Sequence, residues 1–262
     1  MSGFSATWLD LREAADGRAR DTRLLTAAAA LVDAADAPLV VDLGTGTGAM
    51  ARALAQHLQK APEWLLVDAD LAVLAEADAR AGSLPGQVSV LRHDLSTPTP
   101  LPVSGATLVT ASALFDLVSD TFAERLVATL AAGRTALHAN LIYDGTTEWH
   151  PAHPLDEPVL AAFNRHQRRD KGFGAALGPS APGALAEKLN RAGFHVSSAL
   201  SAWRLGPEDE ALVRELATGI ASAAHEEGHL AKEAVDEWLD FRLQHAGEGR
   251  CIVGHVDILA TV

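Results

Sequence analysis

Five short apolar runs alternate with segments of helical spacing between residues 39 and 143, and this alternation restricts the fold more than any other feature of the chain. The runs are LVVDLG (39–44), WLLVDAD (64–70), QVSVLRHDL (87–95), ATLVTASAL (106–114) and TALHANLIY (135–143). Between them, AMARALAQHLQK (49–60), LAVLAEADARAG (71–82) and DTFAERLVATLAAG (120–133) carry apolar residues at helical intervals. Strand, helix and strand in succession make βαβ units, which require a parallel sheet with right-handed crossovers. Apolar residues make up 48% of the 262 and aromatics only 5%, so Ala, Leu and Val must fill the core. That suits helices laid on a buried parallel sheet.

Residues 6–35 read as one or two helices ending before Pro38. After Tyr143 the rhythm changes. A loop rich in proline and glycine leads to NRHQRRDKGFG (164–174), followed by a helix at 181–193 and the strand FHVSSALSAW. Two acidic helical stretches, 208–227 and 230–245, precede a last strand, CIVGHVDILATV.

The formal net charge of −13 opposes phosphate backbones and anionic lipid, so nucleic acid and membrane are disfavoured partners. Cys251 is the single cysteine, which excludes an intrachain disulfide. The N-terminal MSGFSATWLDLREAADGRARD lacks the apolar centre of a signal peptide. The apolar stretch from Leu24 to Val41 is broken by Asp33, Asp36 and Pro38, against a spanning helix. A cytoplasmic setting is expected.

DLGTGTG, Asp42 to Gly48, leaves a strand and enters a helix. Its three glycines let the backbone turn tightly and approach a ligand, with helix amides aimed into the gap. Three acids, Asp42, Asp68 and Asp94, end three successive strands, where an open α/β sheet binds its ligands. Asp68 lies 24 residues beyond Gly44, the distance at which an acid meets a ribose diol. Any one acid could be a helix cap, but three in register point to a nucleoside site.

With these residues the chain resembles the class I S-adenosylmethionine-dependent methyltransferases. Asp42, Gly44, Thr45, Gly46 and Gly48 are similar to the first motif of that family, which holds the methionine part of the cofactor. Asp68, with Ala69 beside it, matches the ribose-binding acid, and Asp94 with Leu95 matches the pair that meets the adenine. ATLVTASAL resembles the fourth-strand motif beside the transferable methyl, which implies Ser112 and Asp116 near the pocket. One departure is Ala106-Thr107, where the family often carries an acid. The resemblance implies a Rossmann-like, doubly wound, mostly parallel sheet of seven strands with an antiparallel last strand. N-terminal helices (1–37) would cap the cofactor-binding core (38–143). Residues 144–180 would form a substrate lid and 206–250 a helical insertion, all in one domain over 1–262. The implied cofactor is S-adenosylmethionine, the implied partner a small-molecule acceptor, and no metal is required.

For the acceptor side, Arg12 and Arg20 could clamp the cofactor's carboxylate, although Arg12 could equally pair with Asp16 one helical turn away. Tyr143, the single tyrosine, either lines the crevice or closes the core. In the basic run, Asn164 and Arg168 would share a helical face and offer positive charge to an acidic acceptor; the alternative is a solvated loop. HEEGH (225–229) matches the zinc pattern H-E-x-x-H in form only, since Gly228 falls inside it, and His150 and His153 read as loop residues. A nicotinamide-dependent oxidoreductase would also use a glycine loop and Asp68, but accounts for neither Asp42 nor Asp94. A cofactor-binding scaffold without methyl transfer is the other alternative. No catalytic residue is singled out.

Overall fold

The computed structural model describes residues 5–262, so the first four residues of the expected N-terminal cap lie outside the described residues. Two capped helices open the fold. The Ser5 side chain accepts from the Trp8 amide at the start of α1 (Ala6–Ala19). Asp21 accepts from the Arg23 and Leu24 amides at the start of α2 (Thr22–Ala34). Each cap satisfies amides that the first helical turn leaves without partners. Leu24, Leu25, Ala28, Ala29 and Val32 recur at helical spacing on α2 and are its buried face.

The expected alternation follows as β1 (Leu39–Leu43), α3 (Ala49–Ala55), β2 (Glu63–Asp68), α4 (Leu71–Ala79), β3 (Gln87–Arg92), β4 (Leu108–Ser112), α5 (Asp120–Gly133) and β5 (Ala136–His150). Then come α6 (Asp156–His166), α7 (Ala181–Arg191), β6 (His195–Leu200), β7 (Trp203–Leu205), α8 (Glu210–Glu227), α9 (Lys232–Gln244) and β8 (Arg250–Thr261). The strand order is β3-β2-β1-β4-β5-β8-β6, and only β8 runs against its neighbours along that path. Residues from α5 and α7 pack on one face of the sheet and residues from α2, α3 and α4 on the other. The sheet is doubly wound, as expected. The order reverses between β1 and β4, so the ligand crevice opens at their carboxyl ends. Among the described residues, no helix is long and apolar enough to cross a membrane.

Three details differ from the sequence reading. The sheet has eight strands, because FHVSSALSAW breaks at Ser201, whose amide donates to the His255 carbonyl (2.9 Å). Strand β7 then continues along β8 the edge that β6 began. Strand β5 does not stop at Tyr143; β8 runs alongside it as far as the His150–Arg250 pair. The loop expected before residue 164 contains helix α6, whose Pro158 falls in the first turn, where a missing N–H breaks no helical bond. Within 144–180, irregular chain is therefore concentrated between α6 and α7.

The bulge in β5 matters for the site. Leu141 has a left-handed backbone (φ 53°), and its amide donates to Oδ1 of the buried Asp257 (2.8 Å). Oδ2 of the same carboxylate accepts from the Asp21 amide (2.8 Å). One side chain on β8 thus joins the bulge to the start of α2.

Candidate functional site

Strand β1 delivers Asp42 to the crevice, and the chain then turns through Gly44, Gly46 and Gly48 at φ 66°, 53° and 83°. Residues with a Cβ are strained in that region, so the turn itself demands glycine. Space is also short at Gly46, where an added Cβ would lie 2.9 Å from Cδ1 of Leu9. Thr45 donates its amide to the Val67 carbonyl (2.9 Å) and its hydroxyl to Asp42 Oδ2 (2.6 Å). Thr110 on β4 donates to Asp42 Oδ1 (2.6 Å). Both oxygens of Asp42 are engaged, and burial pushes its carboxyl up to about 6. Asp42 braces the glycine turn. Helix α1 closes over that turn through Arg52, which donates to the Thr47 carbonyl (2.6 Å) and pairs with Glu13 (2.7 Å).

The crevice holds two adjoining chambers, of about 50 and 200 Å³, which share Leu9, Arg12, Gly44, Gly46, Ser112 and Ala113. Asp68, Ala69, Asp94 and Leu95 all line the larger one. Asp68 accepts from the Gly46 amide on Oδ2 (2.9 Å) and from the Asp70 amide on Oδ1 (3.0 Å). A carboxylate has about four acceptor sites, so each oxygen keeps one for a hydroxyl. Asp94 Oδ1 accepts from the Ser96 amide and hydroxyl (2.9 and 2.6 Å), bonds that hold its carboxyl below the usual range. Its Oδ2 has no partner among the described residues. Leu95 is buried beside it.

The smaller chamber contains the two arginines, and they differ. Arg12 grips Asp16, Nε to Oδ2 at 3.0 Å and Nη2 to Oδ1 at 3.1 Å. Asp16 also accepts from the Trp203 indole (2.9 Å), and the Arg12 guanidinium lies 5.0 Å from that ring's centre. The pairing one helical turn apart is present, but buried in the chamber wall rather than on the surface. Arg20 is also buried, and burial pulls its guanidinium below the ordinary value. Among the described residues its partners are distant: Asn140 Oδ1 and Ser112 Oγ at 3.4 Å, and Asp16 at 3.9 Å. Of its five N–H donors, several are free toward the chamber it lines.

Of the expected acceptor residues, only the arginines of α1 and its C-cap line these chambers. Tyr143 is buried, donates to Asn164 Oδ1 (2.8 Å) and packs edge-on against Phe163. Asn164 in turn donates to the Gly145 carbonyl (2.8 Å). This pair closes the join of β5 and α6. Asp116 is buried in the β4–α5 turn, and its Oδ1 has no partner among the described residues. Burial raises its carboxyl to about 6.

Arg168 fits the solvated alternative of the two that the sequence leaves open. It is exposed, lines neither chamber and makes no ion pair among the described residues. Instead the rest of the basic run docks on the end of α8. Arg165 and Arg169 reach Glu227 (3.6 and 2.6 Å), and His166 reaches Glu226 (3.0 Å). These two glutamates belong to HEEGH. Gly228 ends α8 in the left-handed conformation, so His229 lies beyond the helix that carries His225, and no metal site is formed by the described residues. The run contributes to the crevice through Phe173, which lines the larger chamber and packs on Phe122 with ring centres 5.0 Å apart. Phe173, Asp16 and Asn140 were not anticipated. The only signal for Phe173 was an aromatic between two glycines.

A glycine turn, three strand-end acids and a switch point in a 3-2-1-4-5 sheet define a nucleoside-cofactor site on a Rossmann-like fold. Residues 40–133 match the sequence family described as a methyltransferase domain. No curated protein matches it in sequence. Among solved structures it is similar to a candidate methyltransferase of Bacillus halodurans, at 17% identity and TM-score 0.54, over 90% of this chain and 97% of the other. A methyltransferase of Geobacter sulfurreducens, crystallised with S-adenosylhomocysteine, aligns over 100% of both chains at 17% identity and TM-score 0.50. A phosphoethanolamine N-methyltransferase of Haemonchus contortus aligns over 100% of this chain and 58% of its own, at 16% identity and TM-score 0.51. These likenesses concern the fold.

Proposed function

We propose that this enzyme methylates a small molecule, held between α1, the turn after β4 and the loop bearing Phe173. S-adenosylmethionine, the methyl donor of the family, supplies a sulfonium carbon open to in-line attack. In this reading the glycine turn and Arg20 hold the amino-acid end of the cofactor, Asp68 takes the ribose hydroxyls, and Asp94 with Leu95 takes the adenine. Ser112 stands between the chambers, beside the transferable methyl. What remains for the protein is to hold donor and acceptor close, collinear and dry.

One observation carries the small-molecule part. The larger chamber, about 200 Å³, is a half-open cleft with Leu9, Leu114, Leu117 and Phe173 among its walls, and with adenosine at its Asp68 and Asp94 end it leaves room for a small acceptor only. An acidic acceptor has lost the support of the basic run, since Arg165 and Arg169 are paired with Glu227 and Arg168 faces solvent. A lone buried cysteine fits action in a reducing compartment such as the cytoplasm.

The test is thermal. S-adenosylmethionine and S-adenosylhomocysteine should each raise the melting temperature by mass action, while NAD and NADP should not. Stabilisation by a dinucleotide alone would favour an oxidoreductase. Stabilisation without product release from any small-molecule fraction would favour a scaffold.

A further inference from the structure

The first turns of α5 reach two walls of the larger chamber. Phe122 and Arg125 lie one turn apart on that helix, and a helical side chain leans toward the N-terminus. Arg125 therefore lies back over Phe122, its guanidinium 5.5 Å from the ring centre. The guanidinium forms no ion pair among the described residues. It donates instead to two carbonyls, from Nη2 to Leu95 (2.6 Å) and from Nη1 to Thr97 (2.5 Å). These carbonyls belong to the tight turn that Asp94 opens, in which Thr97 donates its amide (3.2 Å) and its hydroxyl (2.7 Å) to the Asp94 carbonyl. Arg125 thus grips from behind the turn whose Asp94 and Leu95 line the chamber, and charged hydrogen bonds hold it more firmly than neutral ones would. In the other direction Phe122 meets Phe173 edge-on, ring centres 5.0 Å apart. Phe173 stands at the tip of a short closed loop. Asp170 Oδ1 accepts from the Gly172 and Gly174 amides (2.6 and 3.0 Å), and Asp170 pairs with Ala175 across the neck. The start of α5 also holds the loop's far end: Ser119 pairs with Ala176, and the Leu177 amide donates to the Val118 carbonyl (2.8 Å).

We propose that Arg125 is a positioning residue that ties the adenine end of the cofactor site to the acceptor wall: a nucleoside seated on Asp94 and Leu95 fixes Phe173 through Arg125 and Phe122. This rests on the methyltransferase reading above. The path is continuous, from the Leu95 and Thr97 carbonyls to the guanidinium, from the guanidinium to one ring, and from that ring to the next. A nucleoside against Leu95 limits the movement of the turn. A turn held still keeps the guanidinium on Phe122, and the Phe122 ring is the surface on which Phe173 packs. A break anywhere along the path leaves Phe173 between two glycines, at φ 103° and 89°, whose backbone freedom lets the ring leave the chamber. The wall that bounds the acceptor is therefore completed by the adenosine half of the cofactor and not by its methionine half. Coupling is reciprocal, so what seats Phe173 also tightens the nucleoside.

The experiment follows amide hydrogen exchange in the full chain, with saturating S-adenosylhomocysteine or 5′-methylthioadenosine as the probe. Both should slow exchange of the Gly172 and Gly174 amides in wild-type protein, and to the same degree, because the adenosine half is what they share. Arg125→Met keeps the apolar stem and removes the donors. At saturation it should lose that slowing, and its affinity for both probes should fall alike by about 2- to 30-fold, the span of coupling that packed side chains carry. Arg125→Lys, which can still reach one carbonyl, should recover part of both. Phe122→Leu breaks the path on the other side of Arg125, and should lose the slowing with a smaller fall in affinity. An arginine that only supported the fold would lower the melting temperature when replaced and leave the probe-dependent slowing in place. Slowing in Arg125→Met equal to wild type overturns the proposal, as does a wild-type protein that binds the probes without slowing; either result leaves the methyltransferase reading intact. Should Arg125→Met fail to fold, slowing retained in Phe122→Leu overturns the proposal by itself. A wild-type protein that binds neither probe overturns both.

Discussion

Gly46 donates its amide to Asp68 at 2.9 Å, so the turn after β1 and the acid ending β2 are one mechanical unit. Removing the acid therefore does more than leave ribose hydroxyls unpaired; it also frees the glycine turn. Asp68→Ala should weaken S-adenosylmethionine binding by roughly 1.5–3 kcal/mol, about tenfold to 150-fold. Asp68→Asn, which can still accept from the Gly46 amide, should lose less. Calorimetry decides this, and wild-type affinity in Asp68→Ala would remove the residue from the site.

Gly46→Ala tests the same unit from the other end. The new Cβ meets Leu9 at 2.9 Å and sits on a left-handed backbone, for a strain of about 1–2 kcal/mol. Leu9 lines both chambers, so its displacement should disturb the cofactor more than the fold. The expected result is a small fall in melting temperature with cofactor binding largely lost.

Arg20 and Arg12 make opposite predictions despite standing close together. If Arg20 holds the cofactor's carboxylate, Arg20→Ala should weaken S-adenosylhomocysteine by roughly 1.5–3 kcal/mol, a charged hydrogen bond. Binding of 5′-methylthioadenosine, which lacks that carboxylate, should not change. Equal losses for both ligands would show that Arg20 only supports the wall. Arg12→Ala leaves Asp16 buried with the Trp203 indole as its nearest donor, and should appear first as lost stability.

His138 lies fully buried on β5 with neither ring nitrogen bonded among the described residues, and burial lowers its pKa to about 4. His255, also buried, is lowered to about 4. The unfolded chain takes up these protons near 6.5, so the stability these residues leave intact at neutral pH is lost as pH falls from 6.5 toward 4. Asp42 and Asp116, raised to about 6, act in reverse: their contribution is present at low pH and lost as pH rises through 6. The two pairs offset each other between these limits, which flattens the wild-type profile. His138→Leu removes one member. Urea titrations should find it within about 1 kcal/mol of wild type at pH 7.5. At pH 5 it should be more stable by about 2 kcal/mol, at about 1.4 kcal/mol per pH unit.

Adjacent arginines on the docked loop should also behave differently. Arg168→Ala should change stability by no more than about 0.5 kcal/mol. Arg169→Ala strips a partner from Glu227, whose side chain is only 7% exposed, and should cost about 1 kcal/mol or more. Equal effects would mean that the ion pair with α8 contributes nothing.

The cofactor side of this protein was legible because its signals are local. Three glycines, a strand before them and a helix after them are consecutive, and the acids follow one per strand. The acceptor side is built from contacts between distant segments. Asp16 reads as a solvated helical residue until Trp203 and Arg12 close on it. Arg168 and Arg169 are indistinguishable in sequence, and which one docks depends on how α6 ends, a helix that Pro158 and flanking polar residues concealed. Tyr143 could have lined the crevice or closed the core. The continuation of β5 beyond it, dictated by pairing with β8, puts it in the core.

Strand β8 is the last strand in chain order, yet it lies between β5 and β6, and its Asp257 fixes both the bulge at Leu141 and the amide that begins α2. On the ribosome, the glycine turn and all three acids therefore emerge long before the piece that fixes the start of α2 beside them. Until Asp257 arrives, the half-made sheet has an open slot and Arg20 hangs from an untethered joint. Assembly of the pocket wall that carries Arg20 thus waits on a strand made long after the glycine turn.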